Sequence, residues 1–497
     1  MTISQVALSR SIAAVVALLS FAALPASAQI VGLGTLGGNV CSAENTNDSG
    51  AVIGTCRDTE GDVVAVYWAP GTTIAQLLTP LEPDGPCDVY DINNANVAAG
   101  NCEQGANGET FPVRWTASLP GSAPQRLNPV GAHPKATASV INHSGVVAGA
   151  SIDSNGGGHA VIWKAGKVTP TTLPELGLLP PLIPSSTECS VADMSDGADP
   201  VVVGSCELRD GGRVAVKWES GLLGYRAIEL PRMLGGSNCV AAAVNSRGQV
   251  AGTCENATGD IVAIRWFADG QRLTWLDYLE STGVSREQLS VADMNEAGVV
   301  LGNYLTDDGL GRAFVWAPTD DPASEAALDL GGLGGFWTKA FDIADNGYVV
   351  GIGQNDVGLS EAFVWTPQAE ISGMGTLGGF TSGAAALSDN GSWWVGASQT
   401  VEGYVHAYRD GTSKTRPVPS RNAALAQRGK SSKTSSEGKD ASKYNSINVA
   451  EILKNDRLRT NYINCLLKKG RCAPDAHLLR PFLPVALGGT CSTCESR

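Results

Sequence analysis

Several features that mark membrane proteins and familiar enzymes are scarce in this sequence. After residue 28, no apolar run approaches the length of a membrane-spanning helix, so we expect no transmembrane segment in the mature chain. The 497 residues include only five histidines, and neither H-E-x-x-H nor G-x-S-x-G occurs. We therefore expect no catalytic residue, no cofactor and no enzymatic activity. A net charge of −14 argues against nucleic acid as a partner.

The first 28 residues have the order of an export signal. Arg10 precedes an apolar run that is too short to span a bilayer, and Ala26-Ser27-Ala28 follows as a small-x-small cleavage site. We expect residues 1–28 to be a signal peptide and the protein to be periplasmic or extracellular.

Internal repeats dominate what remains. Each combines a short strand, a polar turn usually closed by glycine, and a second strand that ends in glycine, which is the pattern of a β-hairpin. The eight copies span 45–56, 91–102, 140–151, 193–206, 243–254, 293–304, 342–353 and 386–398.

A third strand follows seven of these hairpins and ends in tryptophan. The tryptophans are 47 to 55 residues apart, which is near the repeat length of a four-stranded propeller blade. The eighth copy, "VHAYRDG", lacks the tryptophan. We predict an all-β protein, a β-propeller of about eight four-stranded repeats over residues 29–411, with seven blades as the alternative.

Two glycine-rich segments have the spacing G-x-G-x-x-G of a dinucleotide-binding loop. They begin at Gly32 and at Gly373, and each lies in a connection that leads into the first strand of a repeat. A dinucleotide site needs a strand before the glycines and a helix after them. The mature chain leaves almost no room for a strand before Gly32, and a turn follows at 47–50. We interpret these glycines as corners between blades.

The strings L-G-T-L-G-G, I-N-x-x-G-x-V-V-G and H-A-F-x-W have approximate copies along residues 30–410. They are clearest at 33–38, 141–149, 159–163, 312–316 and 361–365. This part of the chain resembles the bacterial extracellular HAF repeat. The resemblance implies an exported, propeller-like repeat protein and brings no established reaction or ligand.

Eight of the twelve cysteines follow the repeats. In each pair, one cysteine lies on the first hairpin strand and the other on the second, where antiparallel pairing places them opposite one another. An exported protein retains such bonds. We predict the disulfides Cys41–Cys56, Cys87–Cys102, Cys189–Cys206 and Cys239–Cys254, with a redox role as the alternative.

An acidic position also recurs, on the first strand two residues before the turn. It is held by Asp91, Asp193, Asp293 and Asp342, with Asn45 in the first repeat. If this strand is innermost, these side chains could ring a central channel and attract a cation. We favour the alternative that each carboxylate binds backbone between blades, because a buried carboxylate must be satisfied.

Two further acidic turns contain oxygen ligands of the kind that calcium uses. They span 58–62 and 306–311, but neither has a full calcium loop motif. Turn formation alone explains them. We therefore predict no metal site with any strength.

The end of the chain has a different composition. From residue 412 onwards there are 16 Lys and Arg against six Asp and Glu. Residues 412–443 are rich in Ser, Lys and Gly and are typical of a flexible linker. Residues 444–497 contain one apolar helical face and the spacing C-x6-C-x18-C-x2-C. Zinc or thiol exchange is an alternative use of the final C-x2-C.

Residues 444–497 closely resemble the insect chemosensory (OS-D-like) family. The similarity lies in "ILKNDRLRTNYINCLLKKGRCAPD", in a Leu-Pro-x-Ala-Leu segment and in four cysteines in register. It implies a helical carrier of apolar ligands with the disulfides Cys465–Cys472 and Cys491–Cys494. The match stops three residues after Cys494, so we expect the later helices that complete the family's cavity to be missing.

These observations favour an exported, non-enzymatic binding or surface-interaction protein. One alternative is a carrier of small hydrophobic ligands, of odorant, pheromone or fatty-acid type, through the C-terminal segment. Another is a propeller hydrolase or lyase, which would need catalytic groups clustered at one end of the channel. The partner would be a small apolar molecule or an extracellular protein or glycan.

Overall fold

The computed structural model describes residues 30–412 except 84, 106–107, 120, 179–182, 185, 277–283, 307–308 and 319–326. The described residues form a ring of eight four-stranded antiparallel sheets, which confirms the predicted all-β propeller and gives eight blades. The expectations for the signal peptide, the linker and the C-terminal cysteines lie outside the described residues. No helix among the described residues is long and apolar enough to cross a membrane.

The first four blades follow the chain in order. Blade 1 consists of β2 Gly37–Thr46, β3 Val52–Asp58, β4 Val63–Trp68 and β5 Ala75–Leu77. Blade 2 consists of β6 Cys87–Ile92, β7 Val97–Gln104, β8 Glu109–Thr116 and β9 Gln125–Arg126. Blade 3 consists of β10 Lys135–Ile141, β11 Val147–Ile152, β12 Gly158–Trp163 and β13 Thr171–Thr172. A hairpin of β14 Gly177–Leu178 and β15 Ile183–Pro184 precedes blade 4, which consists of β16 Ser186–Met194, β17 Val202–Leu208, β18 Arg213–Gly221 and β19 Gly224–Glu229.

The remaining blades repeat this order, and the last is completed from the start of the chain. Blade 5 consists of β20 Cys239–Val244, β21 Val250–Glu255, β22 Ile261–Trp266 and β23 Leu273–Trp275. Blade 6 consists of β24 Val284–Met294, β25 Val300–Thr306, β26 Gly311–Trp316 and β27 Ala327–Asp329. Blade 7 consists of β28 Gly334–Ile343, β29 Val349–Asn355, β30 Ser360–Thr366 and β31 Ala369–Gly373. Blade 8 consists of β32 Gly378–Leu387, β33 Trp393–Thr400, β34 Val405–Gly411 and, from the other end of the described chain, β1 Val31–Gly32.

The strand β1 closes the ring. Val31 pairs with Arg409 and Gly32 with Tyr408 in antiparallel register, so β1 supplies the outer strand that β34 would otherwise lack. The first glycine segment therefore begins inside a strand, although we expected almost no room for one there. Two residues are enough because they only extend an existing sheet.

Each apolar core lies between two neighbouring blades. One cluster joins Ile53 and Tyr67 of blade 1 to Val89 and Trp115 of blade 2, and the last joins blade 8 back to blade 1. In blades 1 to 5 the indole N–H of the third-strand tryptophan donates to a backbone carbonyl upstream, as in Trp115 to Thr79 O at 2.8 Å. The tryptophan therefore fills the core and also holds the preceding connection.

Candidate functional site

The first strand of every blade lines the central channel, because these strands contact one another around the ring. The turns that follow them lie together at one end, which we call the mouth end. The loops between the second and third strands lie at the other end, the loop end. A cavity of about 250 Å³ opens at the mouth end, and its wall includes Asp91, Asp193, Asp293, Asp342 and His143.

A β-bulge shapes the first strand of each blade just before this turn. In blade 2 the register shifts between Val89 and Asp91, and the same shift occurs in the other seven blades. The glycine of the second strand accommodates the bulge. A Cβ atom on Gly100 would lie 2.1 Å from the carbonyl oxygen of Asp88. The bulge turns the next side chain toward the neighbouring blade.

Because their side chains point toward the neighbouring blade, the four predicted aspartates form hydrogen bonds that join blades. The Oδ2 atom of each accepts a hydrogen bond from a backbone N–H of the following blade. The donors are Ile141 to Asp91 at 2.9 Å, Val244 to Asp193 at 2.8 Å, Ile343 to Asp293 at 3.2 Å and Leu387 to Asp342 at 2.7 Å. The Asn45 side chain donates to Asp91 Oδ1 at 2.9 Å. The same side chains therefore line the channel and bind backbone between blades.

Burial governs the charge of these carboxyl groups. Removal from water raises the pKa of Asp91 to about 6 and that of Asp193 to about 7, despite the backbone N–H groups that lower both pKa values. Burial also raises the pKa of Asp293 and Asp342, whose carboxyl groups are hydrogen-bonded to each other and repel each other when both are charged. The four carboxyl groups therefore hold their protons to a higher pH than aspartates in water do.

A second set of polar side chains lies above them, at the same position in the turns. We call this set the mouth ring: it comprises Asp48, Asn94, His143, Asp196, Ser246, Glu296, Asp345 and Asp389. Several members bind the backbone N–H of the preceding blade's turn, as Asp345 does for Glu296 at 3.0 Å and Asp196 for His143 at 3.0 Å. Asp48 of blade 1 accepts from the Asn390 N–H of blade 8 at 3.0 Å, so the ring is continuous across the chain ends.

His143 lies within the mouth ring between two carboxylates. Its Nδ1 is 2.8 Å from Asp196 Oδ2, and its Nε2 is 2.8 Å from Asp389 Oδ2. These two hydrogen bonds raise the pKa of His143 to about 10, so the imidazole is cationic at neutral pH. The sequence marked this histidine only as one of five, because its partners are 53 and 246 residues away.

Buried basic side chains add a third kind of contact between blades. They occupy one position of the third strand, and each reaches carbonyl oxygens of the following blade; they are Arg114, Lys217, Arg265 and Arg409. Arg409 joins blade 8 to blade 1 through the carbonyl oxygens of Gly50, Ala69 at 3.1 Å and Thr72 at 2.9 Å. The repeated basic residue before the strand end was a signal that sequence reasoning left unused.

The structure joins the eight repeat cysteines in four disulfides between the first and second strands of one blade. They are Cys41–Cys56, Cys87–Cys102, Cys189–Cys206 and Cys239–Cys254. Their positions reinforce blades 1, 2, 4 and 5. Disulfides persist in oxidising compartments, so these bonds are consistent with an extracellular protein.

The acidic turn at 58–62 lies at the loop end, away from the mouth ring. Oxygen atoms of Asp58, Glu60 and Asp62 lie within 4.8 Å of one another and could hold a metal ion. One oxygen of Asp58 already accepts the N–H groups of Glu60, Gly61 and Asp62 at 2.9 to 3.0 Å. These bonds form the turn, and that no metal binds there stays a prediction.

Comparison with known proteins identifies the C-terminal segment. Residues 441–497 match the insect pheromone-binding family A10/OS-D. Over 44 residues the chain is 50% identical to Viresin of Heliothis virescens, covering 9% of this chain and the whole of that relative. These residues belong to the A10/OS-D family. We call residues 441–497 the A10/OS-D segment.

A longer relative of the A10/OS-D segment is the ejaculatory bulb-specific protein 3 of Drosophila melanogaster. It is 46% identical over 61 residues, which are 12% of this chain and 48% of that protein. The chain thus spans about half the length of the first curated relatives that it matches. The similarity to HAF repeats over residues 30–410 has no counterpart among these matches and stays a prediction.

Solved structures similar to the propeller include two from peptidases. The β-propeller domain of the trilobed protease of Pyrococcus furiosus is 9% identical with a TM-score of 0.43, covering 71% of this chain and all of that one. A post-proline cleaving enzyme of Rickettsia typhi is 11% identical with a TM-score of 0.44, covering 74% of this chain and 57% of that one.

These peptidase neighbours contradict our expectation that the chain has no enzymatic activity, and we withdraw it. The expectation depended on missing sequence motifs, and a motif search cannot detect groups that only the fold brings together. At these identities the similarity concerns the fold alone, so it assigns neither a reaction nor a catalytic residue to this chain.

Proposed function

We propose that this protein is an exported carrier of small apolar ligands, in which the A10/OS-D segment binds the ligand and the propeller is the rigid body that bears it. The family match over residues 441–497 carries this proposal. The signal-like residues 1–28, the four disulfides and the resemblance to extracellular repeats support export. Odorants, pheromones and fatty acids are the ligand chemistry that the family implies.

Displacement of a fluorescent apolar probe by fatty acids tests the carrier function. We would compare the mature chain with a version that ends at Gly411, since β34 ends there and the truncated protein keeps all eight blades. Saturable binding by the mature chain that disappears on truncation is the expected result. Equal binding by both proteins, or binding by neither, would contradict a carrier role of the A10/OS-D segment.

A variant of the full chain provides a matched control for the truncation. Replacing Cys465 and Cys472 by serine removes one disulfide that the family resemblance implies, while residues 29–411 stay unchanged. We expect weaker probe binding with an unchanged unfolding transition of the propeller. Unchanged probe affinity would contradict a ligand site that depends on this disulfide.

We further propose that the channel binds a divalent cation through Asp91, Asp193, Asp293 and Asp342. The specific observation that favours it is that these four carboxyl groups all line one cavity of about 250 Å³. Carboxylate oxygens are the ligands that calcium prefers. A bound cation would lower their raised pKa values and relieve their mutual repulsion.

Calorimetric titration with calcium tests the channel site. Replacing both Asp193 and Asp293 by asparagine should reduce the affinity at least tenfold, whereas the same change at Asp58 and Asp62 should leave it unaltered. The second variant removes the acidic turn at the loop end and serves as the matched control. Loss of binding in the control variant alone would place the cation at the loop end and reject the channel site.

A further inference from the structure

We propose that His143 is a latch across the mouth end, which joins blade 3 to blade 8 through Asp389 and narrows this entrance to the channel. The latch rests on the geometry of the mouth ring. It does not depend on what the channel or the A10/OS-D segment binds.

The contact between His143 and Asp389 crosses the channel. Blades 1 and 2 separate blade 8 from blade 3 along the ring. The His143 ring nevertheless reaches Asp389 Oδ2 at 2.8 Å while its other nitrogen contacts Asp196 of blade 4, also at 2.8 Å. The other mouth-ring contacts described above join neighbouring blades. The imidazole therefore lies over the cavity, with carboxylates of blades 4 and 8 at its two nitrogens.

Charge holds the latch closed. Asp196 and Asp389 face the two nitrogens, the neutral Asn94 side chain lies beside the ring, and Asp91 of blade 2 lies near enough for the charge of His143 to lower its pKa. The cationic imidazole is thus surrounded by carboxyl groups. Asp389 also lines the cavity, together with His143 and Asp196. A neutral side chain at position 143 would leave Asp389 without its cationic partner.

The latch does not contribute to the apolar core. The side chains of His143 and Asp389 are 39% and 57% exposed, so their removal leaves no buried cavity. Ring closure has separate supports in β1 and in Arg409. A variant without the latch should therefore open the mouth end and still fold.

Hydrogen–deuterium exchange of peptides from the mouth end tests this inference. The reporters are the amides of Ile141 and Leu387, which donate to Asp91 and Asp342 on the cavity wall. In His143→Gln, which keeps a polar side chain and removes the charge, we expect both peptides to exchange at least tenfold faster at neutral pH. The peptide around Asp58 at the loop end should exchange at its original rate.

Two further variants make the result decisive. Asp389→Asn removes the partner in blade 8 and leaves the contact with Asp196, so it should accelerate the same peptides even if His143→Gln does not fold. His159→Gln removes a histidine that is paired with Asp153 and Glu175 away from the mouth ring. This control variant should not accelerate exchange of the mouth-end peptides. Unchanged exchange in both latch variants, or equal acceleration in all blades, would overturn the proposal.

Discussion

The two ends of the ring are held together in different ways. At the mouth end, carboxylates, asparagines and His143 bind groups of neighbouring blades, so the eight turns form one connected system. At the loop end, acceptors such as Asp58, Asp153 and Asn355 bind the N–H groups of their own loop. Disulfides there link strands within a blade. The mouth end therefore acts as a unit, whereas each blade forms its own part of the loop end.

The mouth end also shows that the interfaces use interchangeable contacts. Two side chains join blades 2 and 3: the carboxyl group of Asp91 and the buried guanidinium group of Arg114. Blade 3 has Val140 at the aspartate position, and there His143 and Asp196 make the contact to blade 4. Blade 8 has Ala386 at that position, and Arg409 makes the contact to blade 1. Where the aspartate is missing in blades 3 and 8, other polar side chains thus join the neighbouring blades.

Reduction of the four disulfides should produce the largest effect and should be confined to one part of the ring. Each disulfide closes a loop of 15 to 17 residues. In the chain-entropy description, a disulfide that closes a loop of that length stabilises the folded protein by about 3 kcal/mol. Calorimetry with and without reductant should show a lower unfolding temperature. Exchange should accelerate in blades 1, 2, 4 and 5; equal acceleration in blades 3, 6, 7 and 8 would contradict a local role.

Arg409→Ala should have the next largest effect, because it leaves three carbonyl oxygens of blade 1 without their buried donor. We expect a loss of about 3 kcal/mol in the free energy of unfolding, measured by denaturant titration. Arg272 is the control, since its ion pair with Asp269 is exposed and its loss should cost no more than about 0.5 kcal/mol. Equal losses would remove the distinction between blade contacts and surface pairs.

The mouth end should make the protein less stable as the pH rises. The pKa values of Asp91 and Asp193 are raised to about 6 and about 7, so the folded protein retains protons that the unfolded chain releases near pH 4. Stability is then highest below pH 4 for these groups and falls up to pH 7. His143, whose pKa is raised to about 10, adds a second decline toward that pH.

The variant Asp193→Asn tests how much of this pH dependence comes from the mouth end. The unfolding temperature of the variant should fall less than that of the original protein between pH 4 and pH 8, because one titrating carboxyl group is gone. Differential scanning fluorimetry across this range measures the effect. A profile identical to the original would show that Asp193 retains no proton in the folded state.

The smallest effect is expected at the loop end surface. Phe380 is 60% exposed at the start of the first strand of blade 8, and Phe336 has the same place in blade 7. Replacing either by serine should change the free energy of unfolding by no more than about 0.5 kcal/mol. A loss above about 1 kcal/mol in denaturant titration would mean that these rings pack against the fold.

Much of the fold could be read from local patterns. The polar turn, the second-strand glycine and the third-strand tryptophan recur in register, and each reports a contact within one blade. The bulge before the turn could not be read in this way. In the sequence, the bulge is reflected only in the glycine of the second strand, such as Gly100. A side chain at that position would collide with the carbonyl oxygen of Asp88.

The candidate site was only partly predictable. The recurring aspartates were visible because they repeat, and their place on an innermost strand followed from the propeller hypothesis. His143 was not recognised, because one of its two partners lies in a blade far away in the chain, and the repeated basic position that includes Arg409 was left unused. A single histidine in a turn carries no periodic signal, and its partner Asp389 is 246 residues distant.

The sequence by itself determined the blade: its strand order, its glycine corners, its tryptophan and the identity of the A10/OS-D segment. These depend on interactions between residues close in the chain or on direct similarity. Only the tertiary structure decided that there are eight blades, that β1 closes the last one, and that the mouth ring brings His143 between Asp196 and Asp389. Closing a ring fixes distances between residues hundreds of positions apart, and no local pattern encodes those distances.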